Sequence, residues 1–253
     1  MKINALMMYG SCARGDYSAS SDIDLLGLSG TGDEGKTRLY SIGNLKINIY
    51  SEDDFRALSM AGSLYVWHLR SEGKILLDLN GILERNLNLF SLKRDYSDAR
   101  HDAALVGWLL FSPEVRNTSS TLIISTITYC VRTIAYSYLA EKAIPAFSLR
   151  DVVPNLKDDP FLADEVKYLW SLKMNNHVSD LDMNRFDQFL QKHVGPHPSW
   201  YGNSLSEIAN IYADKTNFVG KRCRELLIAK EEPSEPIDKE AKRDLFEFLY
   251  GAV

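Results

Sequence analysis

The rhythm of hydrophobic and polar positions changes about a third of the way along the chain. Up to residue 92, apolar runs of strand length, ALMMY (5–9), SDIDLLGL (21–28), NLKINIYS (44–51) and KILLDL (74–79), surround one helix-period stretch, EDDFRALSMAGSLYVWHLRSEG (52–73). In NLKINIYS the alternation has period two, which places Ile47 and Ile49 on a buried face and Lys46, Asn48 and Tyr50 on the other. Ser51 ahead of Glu52, Asp53 and Asp54 is an expected helix N-cap, and Gly73 suits the helix end. Beyond residue 92 the period is helical throughout. Helices are expected around Asp98 to Phe111, Ser119 to Ala143, Phe161 to Lys173, Met183 to His193, Ser204 to Lys230 and Asp238 to Tyr250. Pro145, Pro154, Pro160, Pro196 and Pro198 mark joints, and EEPSEP (231–236) reads as a solvated linker. The pattern predicts an α/β (α+β) core with a mixed sheet over residues 1–92, followed by an all-α helical bundle over 93–253.

Composition narrows the function classes. The chain has 253 residues, enough for two domains, and 45% hydrophobic with 25% charged residues is ordinary for a globular protein with a real core. The net charge is −5, and the first 90 residues carry 9 basic and 11 acidic groups against 20 and 23 in the remainder. Neither half is basic, so no extensive nucleic-acid surface is expected. Thr121 to Glu141 is apolar on nearly every face, yet it holds four threonines, two serines and Arg132 near its middle. A buried central helix is therefore expected there, and no membrane contact. Cys12, Cys130 and Cys223 are far apart, and no leader pattern precedes the first strand-like run, so the expected compartment is the reducing cytoplasm.

The candidate chemistry lies in YGSCARGDYSASSDIDLLGLSG (9–30). Residues two apart in a strand share a face, so Asp22 and Asp24 project together, with Ile23 and Leu25 expected to face the core. Two adjacent carboxylates repel unless a cation lies between them. Mg²⁺ is commonly held by one or two carboxylates together with substrate phosphates, which points to phosphate transfer. Ten residues upstream of the pair, Gly10 lets the backbone come close to a ligand, and the amide and hydroxyl of Ser11 suit phosphate oxygens.

The resulting string, G-S-x10-D-x-D between apolar runs, resembles the nucleotidyltransferase superfamily related to DNA polymerase beta, in particular its small bacterial members. The likeness extends through Ala13, Arg14, Gly15 and Ser21, and the order of elements follows the family through about residue 85. It implies transfer of a nucleoside monophosphate from a nucleoside triphosphate to an acceptor hydroxyl on a protein, an RNA or a small molecule. In this reading Gly10 and Ser11 bind nucleotide, and Asp22 and Asp24 are catalytic and hold Mg²⁺. The resemblance also implies an alternative, a weak or inactive nucleotide-binding relative acting as the partner of a toxin. One position departs from the family: its third carboxylate, on the next strand, falls here on Asn48. An amide carries no charge and takes no proton. Either Asp53, Asp54 or the acceptor's surroundings supply what is missing, or the chain binds nucleotide without efficient turnover.

A rival motif follows directly. GTGDEGKT (30–37) satisfies the P-loop pattern, but Asp33 and Glu34 would stand where backbone amides meet phosphate, and only seven residues separate Thr37 from the strand starting at Leu45. A glycine-rich loop is the expected reading, with Lys36 as a candidate contact for a triphosphate tail. Arg14 and Asp16 are expected on a solvated loop surface and Cys12 as a small space-filler. His68, His101, His177, His193 and His197 have no metal-ligand spacing with any cysteine. HPSWYGN (197–203) is a candidate cleft lining, with loop packing the competing reading.

Overall fold

The computed structural model describes residues 3–17, 21–30, 38–117, 119–175 and 177–212, with Val219 and Cys223. The expected linker at 231–236, the final helix, most of the helix after Ile211 and the P-loop-like residues 31–37 lie outside them. The chain falls into two compact units, with the break between Leu92 and Lys93.

The first unit is a five-stranded mixed sheet with helices, an α+β arrangement. In chain order it comprises β1 (Ile3–Tyr9), the single turn α1 (Ser11–Arg14), β2 (Ile23–Ser29), β3 (Arg38–Ile42), β4 (Leu45–Ser51), α2 (Glu52–Met60), α3 (Leu64–Glu72), β5 (Lys74–Asp78) and α4 (Ile82–Asn88). The sheet order is β3-β4-β2-β1-β5; β2 and β4 are parallel and every other pair is antiparallel. Ile3, Leu25, Ile47 and Ile49 form a core on one face of the sheet. The period-two reading of β4 therefore holds, with Ile47 and Ile49 buried and Lys46, Asn48 and Tyr50 partly exposed. On the other face α2 meets β2 and β4, and α4 meets β1 and β5. Leu26 and Leu28 are fully buried.

Several local features differ from the sequence expectation, among them α4, which forms where no helix is expected. The helix expected over 52–73 is two helices, because Gly62 takes a left-handed φ of 64° and Ser63 starts α3 by accepting a hydrogen bond from the Tyr65 amide. The first of them begins as expected, with the Asp54 amide donating to Ser51 Oγ at 3.1 Å. A strand, β3, occupies residues that carry no clear period. It joins β4 through the two-residue turn Gly43-Asn44, in which Gly43 has φ 55° and Asn44 does not have a positive φ, as a type II′ hairpin requires. Finally, Ile23 is 41% exposed, because it opens β2 at the sheet's end. Leu25 is buried as expected.

The second unit is helical throughout its described residues: α5 (Ser97–Trp108), α6 (Ser120–Glu141), α7 (Leu149–Asn155), α8 (Pro160–Ser171), α9 (Asp180–His193) and α10 (Leu205–Ile211), with short 3₁₀ turns between. Among the described residues α6 is the one helix long and apolar enough to cross a membrane, and it is mostly buried against α5, α7 and α8. Arg132, its central charge, lies over the rings of Tyr136 and Trp170 and donates from Nε to the Tyr136 hydroxyl at 3.0 Å. Gly107 lets α5 and α9 approach: a Cβ there would lie 2.7 Å from Leu190 Cδ1 and 2.9 Å from Phe186 Cζ. Pro154, expected at a joint, lies inside the last turn of α7.

Candidate functional site

The site begins where β1 ends. Tyr9 stands in register with Asp24 of β2, and the next residue, Gly10, has φ 75° and ψ −157°, a conformation essentially confined to glycine. A Cβ on Gly10 would lie 2.9 Å from Asp24 Oδ2. The missing side chain thus lets the backbone pass over the Asp24 carboxylate. The chain then makes the single turn of α1, with the Arg14 amide bonded to the Gly10 carbonyl at 3.1 Å, and Gly15 closes it at φ 85°. Cys12 Sγ lies 3.4 Å from the Asp22 carbonyl oxygen, linking the turn to the second strand. The glycine-serine turn and Asp24 are therefore brought together.

Asp22 immediately precedes β2, and Asp24 is its second residue. The Ile23 amide between them donates to the Asn44 carbonyl at 2.7 Å, fixing the start of β2 against the hairpin turn. Lys46 stands in register with Asp24 and reaches Asp22, Nζ to Oδ2, at 2.6 Å. Two residues on, Asn48 donates from Nδ2 to the Tyr9 hydroxyl at 2.7 Å. Asn48 is thus a neutral amide engaged with a phenol. The Tyr9 ring meets Tyr65 and His68 edge-on, each at 5.7 Å. Burial raises the Tyr65 phenol well above its ordinary pKa, and Tyr9, Tyr50 and Asp24 nearby raise it further.

Behind the turn lies Glu72, the last residue of α3, with its side chain only 8% exposed. Glu72 Oε1 accepts from the Gly10 amide at 2.9 Å. Arg14 Nη1 donates to both carboxylate oxygens, at 2.7 and 2.8 Å, and His68 Nε2 hydrogen-bonds to Oε1 from one turn earlier on α3. Burial pushes the Glu72 carboxyl up, but the bonds and charges of His68 and Arg14 outweigh it and hold it below its ordinary value. Arg14 is therefore an internal ion-pair partner that also reaches Asp16, and not the solvated loop residue expected.

Among the described residues no group of three or more His, Cys, Asp or Glu side chains could hold a metal ion. The oxygen donors of Asp22 and Asp24 are nevertheless of the type Mg²⁺ takes. They fit an ion whose shell is completed by phosphate and water, and they do not fit a cage made of protein alone. Sequence reasoning missed Lys46 and Glu72. Lys46 was accessible to it, because it shares a face with Asn48; Glu72 acts on residues 58 and 62 positions away, which no local pattern reports. Around the expected cleft residues, His197 stacks on Tyr201 with ring centroids 3.8 Å apart and pairs with Asp187, so this segment packs within the second unit.

No family model matches the chain, and neither does any curated protein. A nucleotidyltransferase-like protein from Exiguobacterium sibiricum 255-15, of known crystal structure, aligns over 90% of this chain and 82% of its own at 15% identity and a TM-score of 0.30.

Proposed function

We propose that the first unit is a Mg²⁺-dependent nucleotidyltransferase that passes a nucleoside monophosphate from a nucleoside triphosphate to an acceptor hydroxyl. The observation that carries this reading is the passage of the Gly10-Ser11 turn over Asp24, since a backbone turn with no side chain at Gly10, beside a carboxylate pair, suits a metal-bridged triphosphate. Asp22 and Asp24 would hold the ion, whose chemistry, when bound, is to neutralise charge on the phosphate oxygens. Ser11 would contact the phosphates through its amide and hydroxyl. The Gly10 amide already serves Glu72, so Gly10 contributes by its lack of a side chain. In the transfer the acceptor oxygen bonds to the α-phosphorus while the bond from that phosphorus to the pyrophosphate oxygen breaks. The acceptor's proton must go to a base, and Asn48 cannot take it.

Titration calorimetry with ATP, GTP, CTP and UTP, with and without Mg²⁺, tests this reading. Binding by the wild type that is lost in Asp22→Ala with Asp24→Ala supports it, and binding that survives the double substitution removes the site.

A second reading is a binding module with little turnover that acts as the partner of a toxin; Asn48 bonded to Tyr9, where the family this chain resembles has a carboxylate, favours it. Incubation with labelled nucleoside triphosphates against total RNA, total cell protein and the chain itself separates the two readings. Transferred label supports the enzyme, and tight nucleotide binding without label supports the module.

A further inference from the structure

Glu72 belongs to neither the carboxylate pair nor the glycine-serine string, yet it is the buried group to which the turn is tied. A carboxylate beside a phosphate site opposes an anionic ligand by its charge. Here that charge faces Arg14 from α1 and His68 from its own helix, and its Oε1 takes the amide of the residue that passes over Asp24.

We propose that Glu72 is a positioning residue: by accepting the Gly10 amide it holds the Gly10-Ser11 turn at the height above Asp24 that a nucleotide requires. The inference rests on the nucleotide-binding reading for its functional half and on the hydrogen bond alone for its structural half. A hydrogen-bonding role and a charge role lead to opposite results. Glutamine keeps an acceptor oxygen for Gly10 and loses the charge, whereas alanine loses both. If Glu72 acted only as a charge, both substitutions would strengthen binding of a triphosphate.

The test uses the full chain. Amide hydrogen exchange at Gly10, followed by NMR, is expected to be slow in the wild type and in Glu72→Gln, and at least about tenfold faster in Glu72→Ala, as loss of one hydrogen bond implies. Affinity for ATP with Mg²⁺, measured well below the unfolding temperature, is expected to fall about tenfold in Glu72→Ala and to stay within about threefold in Glu72→Gln. Should Glu72→Ala not fold because Arg14 is left unpaired, Glu72→Ala with Arg14→Met removes both charges and is expected to show the same fast exchange. Unprotected Gly10 in the wild type, unchanged exchange in the folded alanine variant, or tighter ATP binding by both single variants would overturn the proposal. A wild type that binds no nucleotide would overturn the functional half and the reading beneath it, while exchange at Gly10 would still decide the structural half.

Discussion

Lys46 Nζ lies 2.6 Å from Asp22 Oδ2, and the register of the parallel strands sets the same lysine directly beside Asp24. Under the proposed function a divalent cation held by Asp22 and Asp24 would stand close to this ammonium and be repelled by it. Both side chains are a third or more exposed, so the pair adds less than about 1 kcal/mol to stability. Lys46→Ala is therefore expected to leave the unfolding transition almost unchanged and to tighten Mn²⁺ binding at least about threefold, because a like charge has gone. Electron paramagnetic resonance of free Mn²⁺ reads this directly, and weaker binding in the variant would show that the lysine assists the ion.

Asn48→Asp introduces a charge and a proton acceptor beside Tyr9. Aspartate matches asparagine in size and shape, so the fold is expected to tolerate the change. Given an acceptor, label transfer should rise by about 10²- to 10⁴-fold, the usual range for general-base catalysis. Strong transfer by the wild type with no gain in the variant would place the base elsewhere.

Gly10 and Gly15 both have positive φ, but only Gly10 has a neighbour where a Cβ would go. Alanine at either position strains the backbone by about 1–3 kcal/mol. Gly10→Ala additionally crowds Asp24, so it should cost more stability than Gly15→Ala and, measured where both variants are folded, weaken binding of Mg²⁺ with ATP far more. Equal effects on binding would mean that closeness to Asp24 is irrelevant.

The depressed Glu72 carboxyl gives stability a pH dependence. Its contribution is fully present above the ordinary glutamate value, about 4.3, and is lost as pH falls through the lower folded value. The groups that face it are Arg14, which also holds Asp16, and His68. In urea unfolding from pH 6 down to pH 3, the stability advantage of the wild type over Glu72→Gln is expected to shrink as the pH falls. An advantage that stays constant would show that Glu72 is not held ionised by its partners.

The strands β1, β2, β4 and β5 and the junction of Gly10 with Asp24 were legible because each follows from local spacing: period two in the strands, and a glycine-serine pair a fixed distance from two aspartates. The break between α2 and α3 was also written in the chain, at Gly62-Ser63, but the apolar period runs on across it and hid it. Hidden for a different reason was β3, whose residues RLYSI derive their structure from pairing with β4. Glu72 was illegible because its role exists only once α3 is packed behind the turn. The exposure of Ile23 reflects a sheet end, which periodicity does not mark.

The two-residue turn at Gly43-Asn44 has a kinetic consequence. A hairpin such as β3 with β4 forms locally within about 1–10 μs, whereas the parallel pairing of β4 with β2 joins segments further apart in the chain. Because the Asn44 carbonyl of that turn receives the Ile23 amide, docking of the finished hairpin is the event that aligns Lys46 and Asn48 beside Asp22 and Asp24. That corner is therefore completed when the hairpin docks on β2, and substitutions that slow hairpin docking are expected to delay the appearance of binding without altering the affinity finally reached.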